Sequence, residues 1–416
     1  MRLPRTDPDR PPPGPTRPEF WRSPLRSPRL TAMLGLVLLI GLPIIAITGL
    51  LSNDAYQPGF ADNALGRHLG PLDFYLFGWP HAPSFLYAVT QGAHVTIGLA
   101  LFPVVLTKLW SVIPRLFEWP PVRSPAHALE RLSLALLVGG ALFEFVTGIL
   151  NIQYWYLFNF DFTQAHYYGA WVFIGAMIAH VTLKFGTMRH SLTTREEVLA
   201  VTGGHALISP NPAPASMSRR ALLTAVGGAS LILLTQGIGQ SVGGKLRGLA
   251  FLLPRGATRP GPLGFPVNKT WVRTGLKRSD VDASWRLSVR GRESKTFTLA
   301  QLMALPQYTH KLPIACVEGW STTQSWTGVR VVDLARMVGV QGEATLTSTS
   351  LEHGNYGEAT LGHEQVSDTR TLLALSVNGL PLPLDHGYPA RIISPAIPGV
   401  HCTKWVTKMR FAELSA

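Results

Sequence analysis

Ile314-Ala315-Cys316-Val317-Glu318-Gly319-Trp320-Ser321, with Trp326-Thr327-Gly328-Val329 close behind, is the stretch from which the C-terminal third of this chain is read. Cys316 is one of only two cysteines, the other being Cys402. Two are too few for a four-cysteine iron–sulfur cluster or zinc site, and the chain has no Cys-x-x-Cys-His for covalent haem. Around this stretch, from about residue 265 onward, the texture is that of a mixed domain. Trp285-Arg286-Leu287-Ser288-Val289 and Arg391-Ile392-Ile393 read as strands, separated by Gly and Pro turns. Asn378-Gly379 reads as a hairpin turn. Taken alone, Cys316 could be a structural thiol or the disulfide partner of Cys402.

Upstream the composition changes. The chain has 416 residues, of which 15% are charged and 46% hydrophobic, against about 25% charged in an ordinary soluble protein. Residues 1–30 are rich in Pro and Arg with no apolar period, and read as a disordered basic tail. Five apolar runs follow, at about 31–51, 83–107, 132–150, 167–187 and 221–238. Each is close to the ~20 residues that a helix needs to cross a bilayer.

Charge orients them. Lys108, Arg115, Arg123 and Arg131 lie in the 108–131 loop, and Arg189, Arg195, Arg219 and Arg220 in 188–220. The loops 52–82 and 151–166 carry Arg67 against Asp54, Asp62, Asp73 and Asp161. The positive-inside rule then places the N-terminus and the basic loops in the cytoplasm, and everything after about residue 240 outside. Tyr154-Trp155-Tyr156 and Tyr167-Tyr168 suit an outer interfacial belt. The net charge of +13 belongs to this asymmetry, so no nucleic-acid partner is expected and the lipid bilayer is.

A histidine inside a span is costly unless it is paired, ligated or lining a polar cavity. His94 and His180 fall in the second and fourth runs, which cross in the same direction. Both are expected roughly 16–20 Å below the outer surface. Histidines at matching depth on parallel helices can hold one b-type haem axially, or can be satisfied polar residues between helices. His166, about four turns before His180 on the same face, is the candidate ligand of a second haem, with His81 or His68 as its partner. Glu144, in the third run, reads as a proton site for quinol chemistry or as a hydrogen-bonding partner of a neighbouring helix.

Residues 31–190 resemble the bacterial cytochrome b membrane subunits that exchange electrons with quinones, mainly in histidine placement. Ser218-Arg219-Arg220-Ala221-Leu222-Leu223, ahead of the fifth run, resembles a twin-arginine export signal. Two arginines that simply anchor a helix on the inner side would read the same.

The Cys316 stretch is similar to the cofactor loop of the sulfite oxidase superfamily, and within it to the bacterial methionine sulfoxide reductase branch. Two further blocks continue the resemblance in family order: Asp385-His386-Gly387-Tyr388-Pro389-Ala390-Arg391 and Pro398-Gly399-Val400-His401-Cys402-Thr403-Lys404-Trp405. The resemblance implies that the Cys316 thiolate ligates molybdenum beside the dithiolene of a molybdopterin. It also implies that His386, Arg391 and Lys404 contact the pterin and its phosphate. The chemistry agrees, since thiolate is a soft ligand and phosphate wants charge-assisted donors. Cys402 is expected to be a packed thiol, His310, His353 and His363 to have surface or packing roles, and Glu318 and Tyr356 to approach the substrate.

The expected fold class is thus multi-domain, an α-helical transmembrane bundle followed by a mixed α+β molybdopterin domain. Its plan is a tail at 1–30, a four-helix cytochrome b domain at 31–190 and a cytoplasmic linker at 191–220. A fifth helix at 221–238, a linker at 239–264 and an extracytoplasmic domain at 265–416 complete it. The expected function is a multi-pass cell-membrane oxidoreductase that passes electrons from quinol through b-haem to molybdenum. Its substrate would be an S-oxide or N-oxide, such as methionine sulfoxide in an exported protein. Two alternatives stand beside it: a sulfite-type dehydrogenase feeding quinone, and a haem-only electron carrier with a non-catalytic outer domain. No cation follows Cys316 directly, as a sulfite dianion would want, although distant loops could supply one.

Overall fold

The computed structural model describes residues 11–56, 76–153, 155, 157–160, 162–194, 209–256, 261–354 and 356–414. Among these, five helices are long and apolar enough to cross a membrane: α1 (Pro28–Asp54), α2 (Leu86–Leu116), α3 (Pro125–Gln153), α4 (Phe162–Thr193) and α5 (Arg219–Val242). They coincide with the five apolar runs but overrun them at most ends. The shortest has 24 residues, about 36 Å at 1.5 Å per residue, against a hydrocarbon core of about 30 Å. Hydropathy falls at the interface, whereas the backbone hydrogen-bond ladder has no reason to stop there. Ile40, Ile178 and Leu183 are 61%, 61% and 63% exposed. Large aliphatic side chains turned outward on apolar helices are what lipid would cover.

The chain divides into two compact units. The first comprises Met1–Ala46, Ile97–Leu150 and Ala165–Leu234, and so contains the greater part of the helices. Its packing uses small-against-large contacts. A Cβ on Gly41 would stand 2.4 Å from a Leu101 methyl, and one on Gly140 would stand 3.2 Å from Phe173 Cβ. Polar contacts hold the basic end: Lys108 Nζ donates to Thr31 O at 2.6 Å, and buried Arg26 lies 4.4 Å over the Trp110 ring. Arg219, the first residue of α5, donates to the carbonyls of Leu25 and Pro24. That is an anchoring role, and it leaves the export reading of the arginine pair standing.

The second unit comprises Ile47–Thr96, Asn151–Gln164 and Thr235–Ala416. Its core is a two-sheet α+β arrangement. The first sheet contains β1 (Leu287–Arg290), β2 (Ser294–Phe297), β5 (Ala344–Ser350), β6 (Glu358–Leu361) and β10 (Val406–Glu413), in the order β2-β1-β10-β5-β6. Only β1 and β10 pair in parallel. The second sheet, all antiparallel, runs β3 (Tyr308–Ala315), β4 (Ser321–Arg330), β7 (Leu372–Val377) and β8 (Leu380–Pro381), with β9 (Arg391–Ile393) also on β7. Short helices α6 (Leu299–Ala304), α7 (Val331–Met337) and α8 (His363–Ser367) connect them.

The alternating burial of β5 shows a strand with one face on the core, and its Leu346 joins Leu287, Trp326 and Val406 in one cluster with no exposure. The β7–β8 turn is made by Asn378 and Gly379, with φ of +54° and +77°, as the dipeptide predicts. The segment 239–264, expected to be a linker, is structured over much of its length. A 3-10 turn covers Gly244–Leu249, and Ala250 and Leu253 are buried.

Candidate functional site

Cys316 follows β3 directly and stands in the hairpin loop between β3 and β4, where Ala315 pairs with Ser321. The loop closes on itself: Cys316 N–H donates to Trp320 O at 3.0 Å, and Gly319 N–H to Cys316 O at 2.9 Å. Gly319 sits at φ +86°, a region costly for any residue with a Cβ. Gly399 N–H donates to Ala315 O at 2.7 Å, bringing the 398–405 block against the base of the loop.

Cys316 and Cys402 are both buried and neither is in a disulfide, so the disulfide alternative does not hold. Cys316 Sγ donates to Glu318 Oε1 at 3.3 Å, and Trp320 Nε1 donates to the same oxygen at 3.3 Å. Glu318 is 1% exposed, with its other oxygen 3.5 Å from Arg255 Nε. Glu318, expected to approach the substrate, thus lies beside the Cys316 thiol. A distant loop does supply a cation here, and it is already engaged by a carboxylate.

Side chains from the helices and the turn after α5 occupy the loop's outward carbonyls. Gln91 Nε2 donates to Val317 O at 2.5 Å, Gln240 Nε2 to Glu318 O at 2.7 Å, and Ser241 Oγ to Gly319 O at 2.8 Å. Arg247 donates to Ser321 O at 2.8 Å. Tyr87, Trp79 and Ala55 form a small buried cluster with Ala315, and Tyr87 Oη lies 3.3 Å from Tyr56 Oη.

His386, Arg391 and Lys404 come together around Gly387. A Cβ on that glycine, which has φ +103°, would stand 3.1 Å from both Arg391 Cβ and Lys404 Cα. Arg391 donates to the carbonyls of His386 (3.0 Å) and Cys402 (3.1 Å). Lys404 Nζ donates to Lys269 O and Asp385 O, and Lys269 pairs with Glu352. The His386 ring stacks on Phe265, with centroids 3.8 Å apart, and bonds Pro262 O. Burial pushes the His386 imidazole down to about 3, with Arg391 and Lys404 opposing its charge. Burial, then Arg391, pushes Lys404 down to about 7. Burial raises the Cys402 thiol, which fits a packed side chain.

The remaining expectations resolve individually. His94 packs on bare backbone: a Cβ on Gly49 would stand 2.8 Å from its ring. His180 is half-buried in the other unit. His166 Nδ1 lies 3.1 Å from Glu144 Oε2 and 3.0 Å from Thr147 Oγ1, so Glu144 is indeed a partner of a neighbouring helix. His81 belongs to the second unit, where it pairs with Glu364 at 3.2 Å. His68 lies outside the described residues, as do Asp62, Arg67, Asp73, Tyr154, Tyr156, Asp161 and Arg195. Tyr356 is 42% exposed and lies against Lys269 Nζ.

Sequence reasoning missed Gln91, Gln240, Ser241, Arg247 and Arg255. A polar residue inside or beside an apolar run was the available signal for the first three.

Residues 274–415, about a third of the chain, match the family model described as the oxidoreductase molybdopterin-binding domain. The C-terminal part is therefore a molybdopterin-binding oxidoreductase domain of sulfite oxidase type. Among curated relatives, the chain is 33% identical over 132 residues to the uncharacterized oxidoreductase YuiH of Bacillus subtilis, covering 31% of this chain and 66% of that one. It is 32% identical over 154 residues to YedZ1 of Azospira oryzae, provisionally named a protein-methionine-sulfoxide reductase subunit, covering 36% and 55%. It is 28% identical over 188 residues to human mitochondrial sulfite oxidase, covering 38% and 34%. The chain thus spans less than two thirds of each of these relatives. A solved structure, the sulfane dehydrogenase SoxCD of Paracoccus pantotrophus, is 24% identical with a TM-score of 0.30, covering 32% of this chain and 39% of that one.

The residues present fit the cofactor. Cys316 offers a buried thiol, and a metal-bound thiol is deprotonated. Buried Arg391 and half-buried Lys404 both flank Gly387, and Arg391 Nε is a buried donor without a partner among the described residues. Such a pair is stabilised by an anion, and phosphate matches it.

Proposed function

We propose that this chain is a membrane-bound molybdenum oxidoreductase whose Cys316 thiolate ligates the metal and whose His386, Arg391 and Lys404 hold the pterin and its phosphate. The observation that carries the reading is the buried Cys316 thiol, outside any disulfide, in the same compact unit as the convergent cradle around Gly387. The cofactor supplies oxygen-atom transfer when bound, while the protein supplies ligand, orientation and access. Glu318 and Trp320 orient the sulfur, and the capped loop keeps its backbone fixed.

The five apolar helices support a multi-pass membrane protein, and the excess of Lys and Arg in 108–131 and 188–220 supports a C-terminal domain outside the cytoplasm. Quinol is the proposed electron source, with b-type haem between His94 and His180 as carrier. The room left by Gly49 for the His94 ring supports a ligand role. His166, oriented by Glu144, suits a second haem, because a ligating histidine commonly gives its other ring nitrogen to a carboxylate. The substrate class is an S-oxide or N-oxide, methionine sulfoxide included: R2SO + 2e− + 2H+ → R2S + H2O. The pairing of Arg255 with Glu318 favours a neutral oxide over the sulfite dianion, so the sulfite-dehydrogenase reading stands second.

The test is to reduce the haem in membranes with a quinol and then add candidate oxides. Reoxidation by an S-oxide, lost together with molybdenum in Cys316→Ala, is expected. If sulfite reduces the haem and no oxide reoxidises it, electron flow runs the other way. Wild-type protein with haem and no molybdenum would leave only the electron-carrier reading.

A further inference from the structure

The Cys316 loop is not held by the β-sheets alone. Three consecutive loop carbonyls, those of Val317, Glu318 and Gly319, receive Gln91, Gln240 and Ser241 respectively. Gln91 belongs to α2, while Gln240 and Ser241 belong to the end of α5. Gln91 is 6% exposed and Gln240 1%. Moving the loop away would leave each donor and the carbonyl it serves desolvated and unsatisfied, so each of these bonds resists displacement of the loop. Contact at Gly319 is equally close, since a Cβ there would stand 2.7 Å from Val95 Cβ. The two helices do not stand equally in this arrangement. Gln91 lies one helical turn before His94 on the same helix, so the His94 backbone leads to its side chain, and Val317 is bonded directly to Cys316.

We propose that Gln91 is a positioning residue that couples the His94 helix to the molybdenum-ligand loop, setting both the place of Cys316 and the rate of electron passage towards it. This rests on the reading above, in which His94 holds haem and Cys316 holds molybdenum. Each electron that leaves the haem oxidises it by one equivalent and reduces the molybdenum centre by one; quinol supplies two electrons and two protons per substrate. Gln240 holds the adjacent carbonyl with a bond of the same kind, from a helix without a proposed haem ligand. It is therefore the internal control.

The experiment uses the full chain in detergent, comparing wild type, Gln91→Met and Gln240→Met. Metal and haem contents, the electron paramagnetic resonance of the half-reduced molybdenum, and the haem-to-molybdenum electron-transfer rate after flash reduction are measured. Both substitutions are expected to shift the molybdenum resonance. Only Gln91→Met is expected to slow transfer, by about fivefold, the factor that corresponds to loss of the one net hydrogen bond joining the His94 helix to the loop. Equal rates in the two variants, or an unchanged rate in Gln91→Met, overturn the proposal. Gln91→Asn, whose amide is a methylene too short, replaces Gln91→Met if that variant loses metal. Molybdenum loss from both Gln91 variants but not from Gln240→Met supports the positioning role. Wild type lacking haem or molybdenum would instead sink the reading beneath the proposal.

Discussion

Lys404 concentrates the electrostatics of the cradle in one side chain. Its ammonium is pushed down to about 7 by burial, with Arg391 adding repulsion and Glu352 and Asp385 only partly opposing. Below pH 7 Lys404 is therefore increasingly a charged ammonium, and above it an increasingly neutral amine. Phosphate is bound better by the ammonium. Uptake of the molybdenum cofactor by apoprotein is accordingly expected to weaken as pH rises from 7 to 9, and Lys404→Arg to remove that dependence. Titrating cofactor binding against pH checks this, and a flat wild-type profile would refute it. At this scale, much of the site was legible in the sequence: Cys316, His386, Arg391 and Lys404 sit in blocks whose order carries the meaning. Arg255 and Gln91 were not. Gln91 finds its partner 226 residues away, and no local pattern encodes such a pairing.

At the scale of elements, the transmembrane helices were readable because a bilayer demands a long apolar run. Their ends were less so, because helical hydrogen bonding continues through the interface. The β3–β4 hairpin shows how an element is completed by a neighbour. Gly319 must adopt a positive φ and must also leave room for Val95 on α2. Gly319→Ala is expected to cost about 1–2 kcal/mol for the left-handed backbone alone, with the clash in addition. Combining it with Val95→Ala, which removes both Cγ atoms but keeps the Cβ, should recover only the share of the clash carried by those methyls and leave the backbone part. Molybdenum retention on heating across this double-mutant cycle separates the two. Full additivity would show that the contact carries no energy.

At the scale of the whole molecule, the sequence pattern led us to expect a domain beginning at about residue 265. The compact unit that holds the site gathers residues 47–96 and 151–164 as well. Hydropathy separates what will sit in lipid from what will not. It is blind to a helix end that is also a wall of a catalytic domain, because Tyr87 and Val95 are apolar for either purpose. A further consequence lies in the order of the first sheet. β10, the last strand among the described residues, is placed between β1 and β5, so during translation the sheet lacks its middle until Val406 has left the ribosome. Until then β1 and β5 are two unpaired edges, which are templates for wrong pairing. A chain stopped before Val406 is expected to bind chaperones and to aggregate, even though every site residue named above has been made. Pulse-labelling such a chain and following its sedimentation tests this; a soluble product retaining molybdenum would contradict it. Cofactor loading is thereby expected only after Val406–Glu413 has taken its place in the sheet, which sets synthesis of this strand ahead of metal insertion.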